Sequence, residues 1–533
     1  MDRLAGRWKG CQLGTIYIDY LVPDKLTPVP PEHKRKAPMP PMSIGLLKAM
    51  TPDNLDGYDL VTRCWDEQAM GRYDVQVERP DILCMSALTT SASRAYEIAT
   101  HARDTNGAGG KPIQIAIGGV HATALPLEAL HYADCVALGE TAPSTLRDIL
   151  SWLIQRRKTG SSEQRAFEWH PPAGAKEVEN RPLPDWSWAP RDAYLMPFSM
   201  QTSVGCPFDC SFCSVTYVFG SASRHVPYDV IEADARRFKS QGRGVAAIID
   251  DNFLPNKTGE HAKKVCEIFR RYRIPWATEL TALTLYNNWR ELIPLLGKSG
   301  CRGLFLGIET ITGKMAKSVS VEKYKELIAR LHDYGIAVLG AFVFGVTEDD
   351  DPSLFERTVE WGIEAKLDLA QFSVNTPEPG ARDFEYAVRN DLITDWNWEH
   401  YDAEHPVRKF AKITPQQMFE GHTNANRWFY TATSAWKRLK PSFKDLLNLR
   451  NGRRGTLVSA INAYLAGTAR HYAARHNYAA FERSRITIPN PFVVQQFAPG
   501  MPENQFDAKT RARALLNNGH NPLRDVIPNV TFG

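Results

Sequence analysis

The chain has 533 residues, of which 43% are hydrophobic, 10% aromatic and 23% charged, a composition that fits a globular protein with room for two or three domains of about 100–200 residues each. The formal net charge of +4 hides an imbalance, since residues 401–533 carry 19 Lys+Arg against 8 Asp+Glu, a net +11, while residues 1–400 sum to −7. The opening MDRLAGRWKGCQLG has no apolar secretory core and no run of 18 apolar residues occurs, so neither a signal peptide nor a membrane-spanning helix is expected and a cytoplasmic protein with reduced thiols is.

Residues 1–155 alternate short apolar runs with helical periodicity. GTIYIDYLV, YDLVTRCWD, DILCMSALTT, IQIAIGGVH and DCVALGE predict strands, with SRAYEIATHARD and LPLEALHYA as helices between them. This pattern predicts a parallel, doubly wound sheet, whose ligands bind at the carboxyl ends of the strands. Ser86, Leu88, Thr89, Thr90, Gly118, Gly119, His121, Thr123, Gly139 and Glu140 fall there. Residues 156–195, rich in Pro, Trp and charge, predict a surface linker. A second alternating block, residues 196–385, supplies six β/α units and predicts a partial parallel barrel with its active site at the carboxyl ends of its strands. Residues 386–533 predict a mainly helical, basic region. From Arg427 to Arg485 only Asp445 and Glu482 oppose 12 basic residues, with aromatics interleaved. That stretch reads equally as a solvated face or as a contact for an anionic substrate, lipid headgroup or nucleic acid.

Six of the nine cysteines are scattered (Cys11, Cys64, Cys84, Cys135, Cys266, Cys301), while Cys206, Cys210 and Cys213 stand as CxxxCxxC directly after the first strand of the second block. Three thiolates in one loop can converge on an inorganic centre. Zinc is one reading, but a structural zinc wants four ligands and no second pair or suitably spaced histidine follows. The other is an iron–sulfur cluster; since electron-carrying cubanes normally have four cysteines, three would leave one iron open to bind a small molecule.

CxxxCxxC after the first strand of a β/α barrel resembles the radical S-adenosylmethionine superfamily. The resemblance implies a [4Fe–4S] cluster on Cys206, Cys210 and Cys213, with the open iron chelating S-adenosylmethionine, whose reductive cleavage yields a 5′-deoxyadenosyl radical. It implies contacts to that cosubstrate from Phe212, from Asp250, Asp251 and Asn252 in AAIIDDNF, from Glu309 in GLFLGIET, from Phe344 in FVFG and from Asn375 in NTPEPG. AAIIDDNF departs from the commoner glycine-rich form.

The first domain, through DILCMSALTTSASRAYEIA, IAIGGVHAT and ALGE, is similar to the flavodoxin-like cobalamin-binding domain of the subgroup that includes the magnesium-protoporphyrin cyclase, hopanoid-modifying enzymes and carbon methyltransferases. It lacks the DxHxxG that supplies a cobalt-ligating histidine, so Ser86–Thr90 would face the cobalt. Gly118 and Gly119 would admit the corrin's nucleotide tail, with His121 and Thr123 bonding to it. The resemblance implies an anaerobic, cobalamin-dependent methyltransferase acting on an unactivated carbon. A cyclase or oxidative rearrangement with the same cofactors is the alternative among enzymes, and a redox-sensing iron–sulfur protein the alternative outside them. The expected partners are a small-molecule substrate, anionic or lipid-like, with Trp396, Trp398, Trp428 and Tyr430 lining its pocket; an external one-electron donor such as flavodoxin or ferredoxin; and peripheral membrane contact. Nucleic acid is not called for, because no RNA-binding module is recognisable.

Overall fold

Each of two units is organised by one parallel sheet. The computed structural model describes residues 14–27, 36–172, 174–241, 244–254, 259–312, 318–445 and 477–497. Cys11 and much of the basic stretch, residues 446–476, lie outside the described residues. The first unit takes in the chain to Pro172 and Glu179–Leu195, and the second takes in Ala173–Val178 and Met196–Phe506.

In the first unit the strands are β1 (Thr15–Val22), β2 (Asn54–Leu55), β3 (Tyr58–Asp66), β4 (Ile82–Ser86), β5 (Gln114–Gly118), β6 (Cys135–Leu138) and β7 (Arg165–Glu168). They form one sheet in the order β2-β3-β1-β4-β5-β6-β7, parallel except for β2. Without the short β2 this is the flavodoxin-like order, and the direction of winding reverses between β1 and β4. Helix Pro143–Thr159 places Leu146, Ile149, Leu150, Leu153 and Ile154 on one stripe against Ile16, Ile18, Ile82 and Cys135, the i, i+3, i+4, i+7 spacing of a core-facing helix. Burial pushes the thiols of Cys64 and Cys84 up to about 12, so these are core residues and not ligands.

The expected linker is in part structure. RAFE forms β7, too short a run for its periodicity to show, and Glu179–Leu195 straps the same unit. Asp185 N–H donates to the Gly45 carbonyl (2.9 Å), the Trp186 ring stands where a Cβ on Gly45 would be (2.6 Å), and Tyr194 Oη donates to Asp66 Oδ2 (3.0 Å).

The second unit's main sheet runs in chain order: β8 (Ser199–Met200), β11 (Ala246–Ile248), β12 (Trp276–Leu280), β13 (Cys301–Glu309), β14 (Ala337–Phe344) and β15 (Leu369–Val374), all parallel. This is the expected partial (β/α)6 barrel. The predicted first strand FSMQTSV breaks after Met200, and β9 (Ser203–Val204) pairs instead with β10 (Arg224–His225) in an antiparallel two-stranded ribbon. Phe342, Phe344 and Phe372 stack between the sheet and its helices, against Phe355, Trp361 and Phe429.

The C-terminal helices belong to this core. Helix Pro415–Phe429 opens on a capping box in which Thr414 and Gln417 satisfy each other's backbone N–H. The next helix is anchored by buried Arg438, whose Nη1 donates to the carbonyls of Leu367 (3.0 Å) and Asp368 (2.7 Å). The expected substrate pocket of aromatics does not form. Trp396, Trp398 and Tyr430 are buried, with Tyr430 Oη donating to the Ala370 carbonyl at 2.6 Å, and Trp428 is exposed. Hydrophobic burial claims three of the four.

Helix Pro415–Phe429 meets helix Leu354–Glu364 at Gly421, where an added Cβ would lie 2.2–2.5 Å from the Phe355 ring. Gly421→Ala is expected to cost about 1–3 kcal/mol by overpacking, read as a lower denaturant midpoint at unchanged slope.

Candidate cluster and cosubstrate site

Because every strand of the second sheet is parallel, the segments that follow β8, β11, β13, β14 and β15 share one rim. The cysteine loop sits there, with Cys210 buried and Cys206 and Cys213 half-buried. Its shape is set by residues far along the chain. Asp250, just past β11, is 1% exposed. Its Oδ1 accepts the N–H of Thr202 (2.6 Å) and of Ser203 (3.0 Å), and its Oδ2 accepts both hydroxyls. Burial raises its pKa, and these bonds oppose the rise. Asp251 Oδ2 accepts the Gly205 N–H at 2.7 Å. Gly205 itself has φ +87° and a Cβ there would meet the Ala222 carbonyl at 2.6 Å, so only glycine fits this turn. Asn252 reaches Cys206 Sγ with its amide nitrogen at 4.0 Å. Each of the three residues expected to meet the cosubstrate thus makes a contact to the cysteine loop.

The far side of the loop is held from beyond β15. Asp383 N–H donates to the Ser211 carbonyl (2.9 Å), and Arg382 pairs with Asp209 (3.2 Å). Asp383 Oδ2 accepts from Arg408 Nη1 (2.5 Å) and Asn375 Nδ2 (3.3 Å). Asn375 is 5% exposed and its Oδ1 has no hydrogen-bond partner, which suits a donor on a bound molecule. Asp383 and Arg408 were not singled out from the sequence; nothing local marks a carboxylate paired with an arginine 25 residues on, or a backbone N–H that bonds a carbonyl 172 residues back.

Glu309 ends β13 with φ +65°, where the register against β14 shifts, and the Thr310 N–H bonds back to the Ile308 carbonyl (2.9 Å). This is a positive-φ γ-turn, which is rare and strained for a residue with a side chain; strain of this kind clusters at functional sites. Asp350 joins the next two strand ends, accepting from Thr312 Oγ1 (2.9 Å) and from the Gly345 N–H (2.9 Å). Phe212 is half-buried in the cysteine loop. Phe344 is not at this rim by its side chain, since its ring packs on Phe355 and Phe372 and only its carbonyl meets Asn375.

At the rim of the first unit, Leu88 is 57% exposed and Thr89 buried, with Thr89 Oγ1 lacking a partner. Ser86, Thr90, Gly118, Gly139 and Glu140 are half-buried around them. Gly119 has φ +96°, and a Cβ there would strike the Ala87 carbonyl at 2.6 Å. His121 and Thr123, expected to bond a ligand, lie inside at 1% exposure each. His121 Nε2 is 3.2 Å from Glu128, and Thr123 Oγ1 ties Gly119 to Gly139, donating to one and accepting from the other (2.8 and 2.9 Å). These two support the rim from below.

The residues present fit the implied groups. Thiolates sharing one zinc stand about 3.7 Å apart, given 2.3 Å bonds in a tetrahedron. Among the described residues no three Cys, His, Asp or Glu side chains form a group placed to hold a single metal ion; three soft thiol donors on one loop suit an iron–sulfur cluster by their chemistry. The open acceptor of Asn375 and the strained Glu309 suit a polar cosubstrate beside it. An exposed leucine with no ligating atom, on a rim of small residues, suits the lower face of a corrin.

Behind the cysteine loop, His261 bridges Thr202 Oγ1 (3.1 Å) and Tyr228 Oη (3.2 Å) and stacks on His225 (3.9 Å, 7°). Burial, then His225 and Lys264, push its pKa down to about 3 from about 6.5 in an unfolded chain. The unfolded chain takes up the proton first, so this stability is present above about pH 6.5 and lost as pH falls towards 3. His261→Gln is expected to flatten the fall in denaturant midpoint between about pH 7 and pH 4; an unchanged slope would assign the fall to other groups, such as His422, pushed down to about 4.

Residues 200–360 match the family model described as the radical SAM superfamily. The chain is 28% identical over 364 residues to an uncharacterized methyltransferase of Pyrococcus horikoshii, covering 64% of this chain and 76% of that protein. It is 26% identical over 375 residues to bacteriochlorophyllide d C-12(1)-methyltransferase of Chlorobaculum tepidum, covering 68% of this chain and 77% of that protein. In fold it is similar to the radical S-adenosylmethionine methyltransferase TsrM from Kitasatospora setae, solved with cobalamin and a [4Fe–4S] cluster bound, with a TM-score of 0.54 over 86% of this chain and 100% of that one at 14% identity. Residues 200–360, which include the cysteine loop and most of the sheet that carries it, are a radical SAM domain.

Proposed function

We propose that the protein is a cobalamin-dependent radical S-adenosylmethionine methyltransferase that methylates an unactivated carbon of a small molecule. One observation carries this reading: a chain with a flavodoxin-order sheet also presents a three-thiol loop, pinned from both sides, at the rim of a parallel half-barrel. When bound, the cluster and the corrin supply reductive cleavage of S-adenosylmethionine, hydrogen abstraction and a transferable methyl group. Cys206, Cys210 and Cys213 would hold the cluster; Glu309 and Asn375 would orient the cosubstrate beside it; Ser86–Thr90, Gly118, Gly119, Gly139 and Glu140 would carry the corrin. The exposed Leu88 among them has no lone pair to offer a metal and would shield the corrin from water.

Methyl transfer is preferred to cyclisation because the methyltransferases are the more similar in sequence, at 28% and 26% identity against 23% for the magnesium-protoporphyrin cyclase of Rubrivivax gelatinosus. No described helix is long and apolar enough to cross a membrane. We place the enzyme in the cytoplasm, supplied by a one-electron donor of the flavodoxin or ferredoxin kind. The exposed Trp428 and Trp436 among basic residues support peripheral contact with an anionic or lipid-like substrate.

The test is anaerobic. With iron, sulfide, cobalamin and a strong reductant, the protein is expected to convert S-adenosylmethionine to 5′-deoxyadenosine and S-adenosylhomocysteine, one of each per methylated product. Alanine at Cys206, Cys210 or Cys213 is expected to abolish the 5′-deoxyadenosine while leaving corrin binding intact. 5′-Deoxyadenosine without bound corrin would remove methyl transfer from the reading, and neither product would return the cluster to redox sensing.

A further inference from the structure

The segment after β11 meets the cysteine loop residue by residue. Asp250 takes Thr202 and Ser203, Asp251 takes Gly205, and Asn252 reaches Cys206. The first two contacts shape backbone. The third touches a sulfur, and its direction is fixed. Asn252 is 3% exposed, and its Oδ1 accepts two backbone N–H groups, from Leu254 (3.1 Å) and Thr281 (3.2 Å). Reversing the amide would set its NH2 against both of those donors, so the oxygen must face them and Nδ2 must face Cys206 Sγ, 4.0 Å away. The amide is anchored at both ends of its polar group, by β12's exit on one side and by the sulfur on the other.

A buried N–H aimed at a thiolate stabilises negative charge on that sulfur. Hydrogen bonds to cluster sulfurs are one of the levers that set an iron–sulfur reduction potential, and groups outside the first ring of ligands orient those ligands and tune them. We propose that Asn252 is a positioning residue of the cluster, donating to the sulfur of Cys206 and thereby raising the cluster's reduction potential into the reach of the protein's electron donor. The inference rests on the proposed cluster and assigns Asn252 a task different from holding the cosubstrate. Its physical basis is charge: the reduced cluster carries one more negative charge than the oxidised one, so a fixed donor at a ligand sulfur favours the reduced form.

The experiment uses the full chain reconstituted anaerobically with iron and sulfide, and reads iron per chain, the midpoint potential by redox titration and the spectrum of the reduced cluster by electron paramagnetic resonance. Asn252→Asp keeps an oxygen for Leu254 and Thr281 but replaces the donor with a second acceptor at the sulfur. It is expected to retain iron, to shift the potential downward and to change the resonance of the reduced cluster. Thr202→Val, which removes one hydroxyl from Asp250 and changes no charge, is the control expected to lower iron content without moving the potential of the clusters that remain. An Asn252→Asp potential equal to that of the wild type would overturn the proposal, and so would iron loss with residual clusters at the wild-type potential, since that is loop support alone. A wild-type chain that assembles no cluster would instead remove the functional reading on which this one stands.

Discussion

The catalytic rim depends on the buried carboxylate of Asp250. Placing a carboxylate at 1% exposure is costly, and four hydrogen bonds from two consecutive residues, Thr202 and Ser203, offset part of that cost. Bonds to a charged group contribute about 1.5–3 kcal/mol each, and all four are lost together if the loop lifts away. The bonds also explain why the first predicted strand breaks. Thr202 and Ser203 turn their N–H groups to a side chain, leave the ladder after Met200, and so aim the following Gly205–Cys206 at the rim. A short first strand is the condition for a cysteine loop.

The same logic of remote anchoring recurs on the other side. Asp383 receives Arg408 and Asn375 on its side chain and gives its backbone N–H to Ser211, so the end of β15, the helix after it and the cysteine loop are one hydrogen-bonded unit. Loops that must place a ligand to within a fraction of an ångström are usually mobile. Here the loop is clamped at residues 202–206 by β11 and at 209–211 by the segment after β15. The first unit solves a similar problem with a threonine: Thr123 holds the Gly119 and Gly139 turns together, leaving the exposed surface of the rim to small residues and one leucine.

Much of this was legible in the sequence, for definite reasons. Fully buried parallel strands are short apolar runs, and those runs gave the two α/β blocks. Three thiols within eight residues have few bland explanations, so the loop identified itself. What the sequence withheld was direction and depth. On a strand buried on both faces, parity is invisible, which is why Phe344 appeared to point to the rim when its ring lies among Phe355 and Phe372. His121 looked like a ligand-binding residue because a histidine after two glycines marks a loop, and nothing local shows that Glu128 draws it inward. Trp396, Trp398 and Tyr430 were read by their chemistry as a pocket, whereas their apolar area is used in packing. β7 was hidden by its length of four residues.

Glu309 shows how far the fold goes to serve the rim. Along β13 the residues from Gly303 to Gly307 follow the β14 ladder, and then the register slips and the backbone turns at positive φ on a residue with a full side chain. Glycine would make that turn without strain, and the chain uses glycine at Gly205, Gly119 and Gly345, where only the backbone matters. A carboxylate held at a strained turn, in a position where stability alone would select glycine, is retained for what its oxygens do. Asn375, with one amide oxygen left open, stands at the end of β15, on the same rim as the end of β13. Strain at one strand end and an unmet acceptor at another are both costs to the folded protein, and a molecule bound between the cysteine loop and these two residues would recover both.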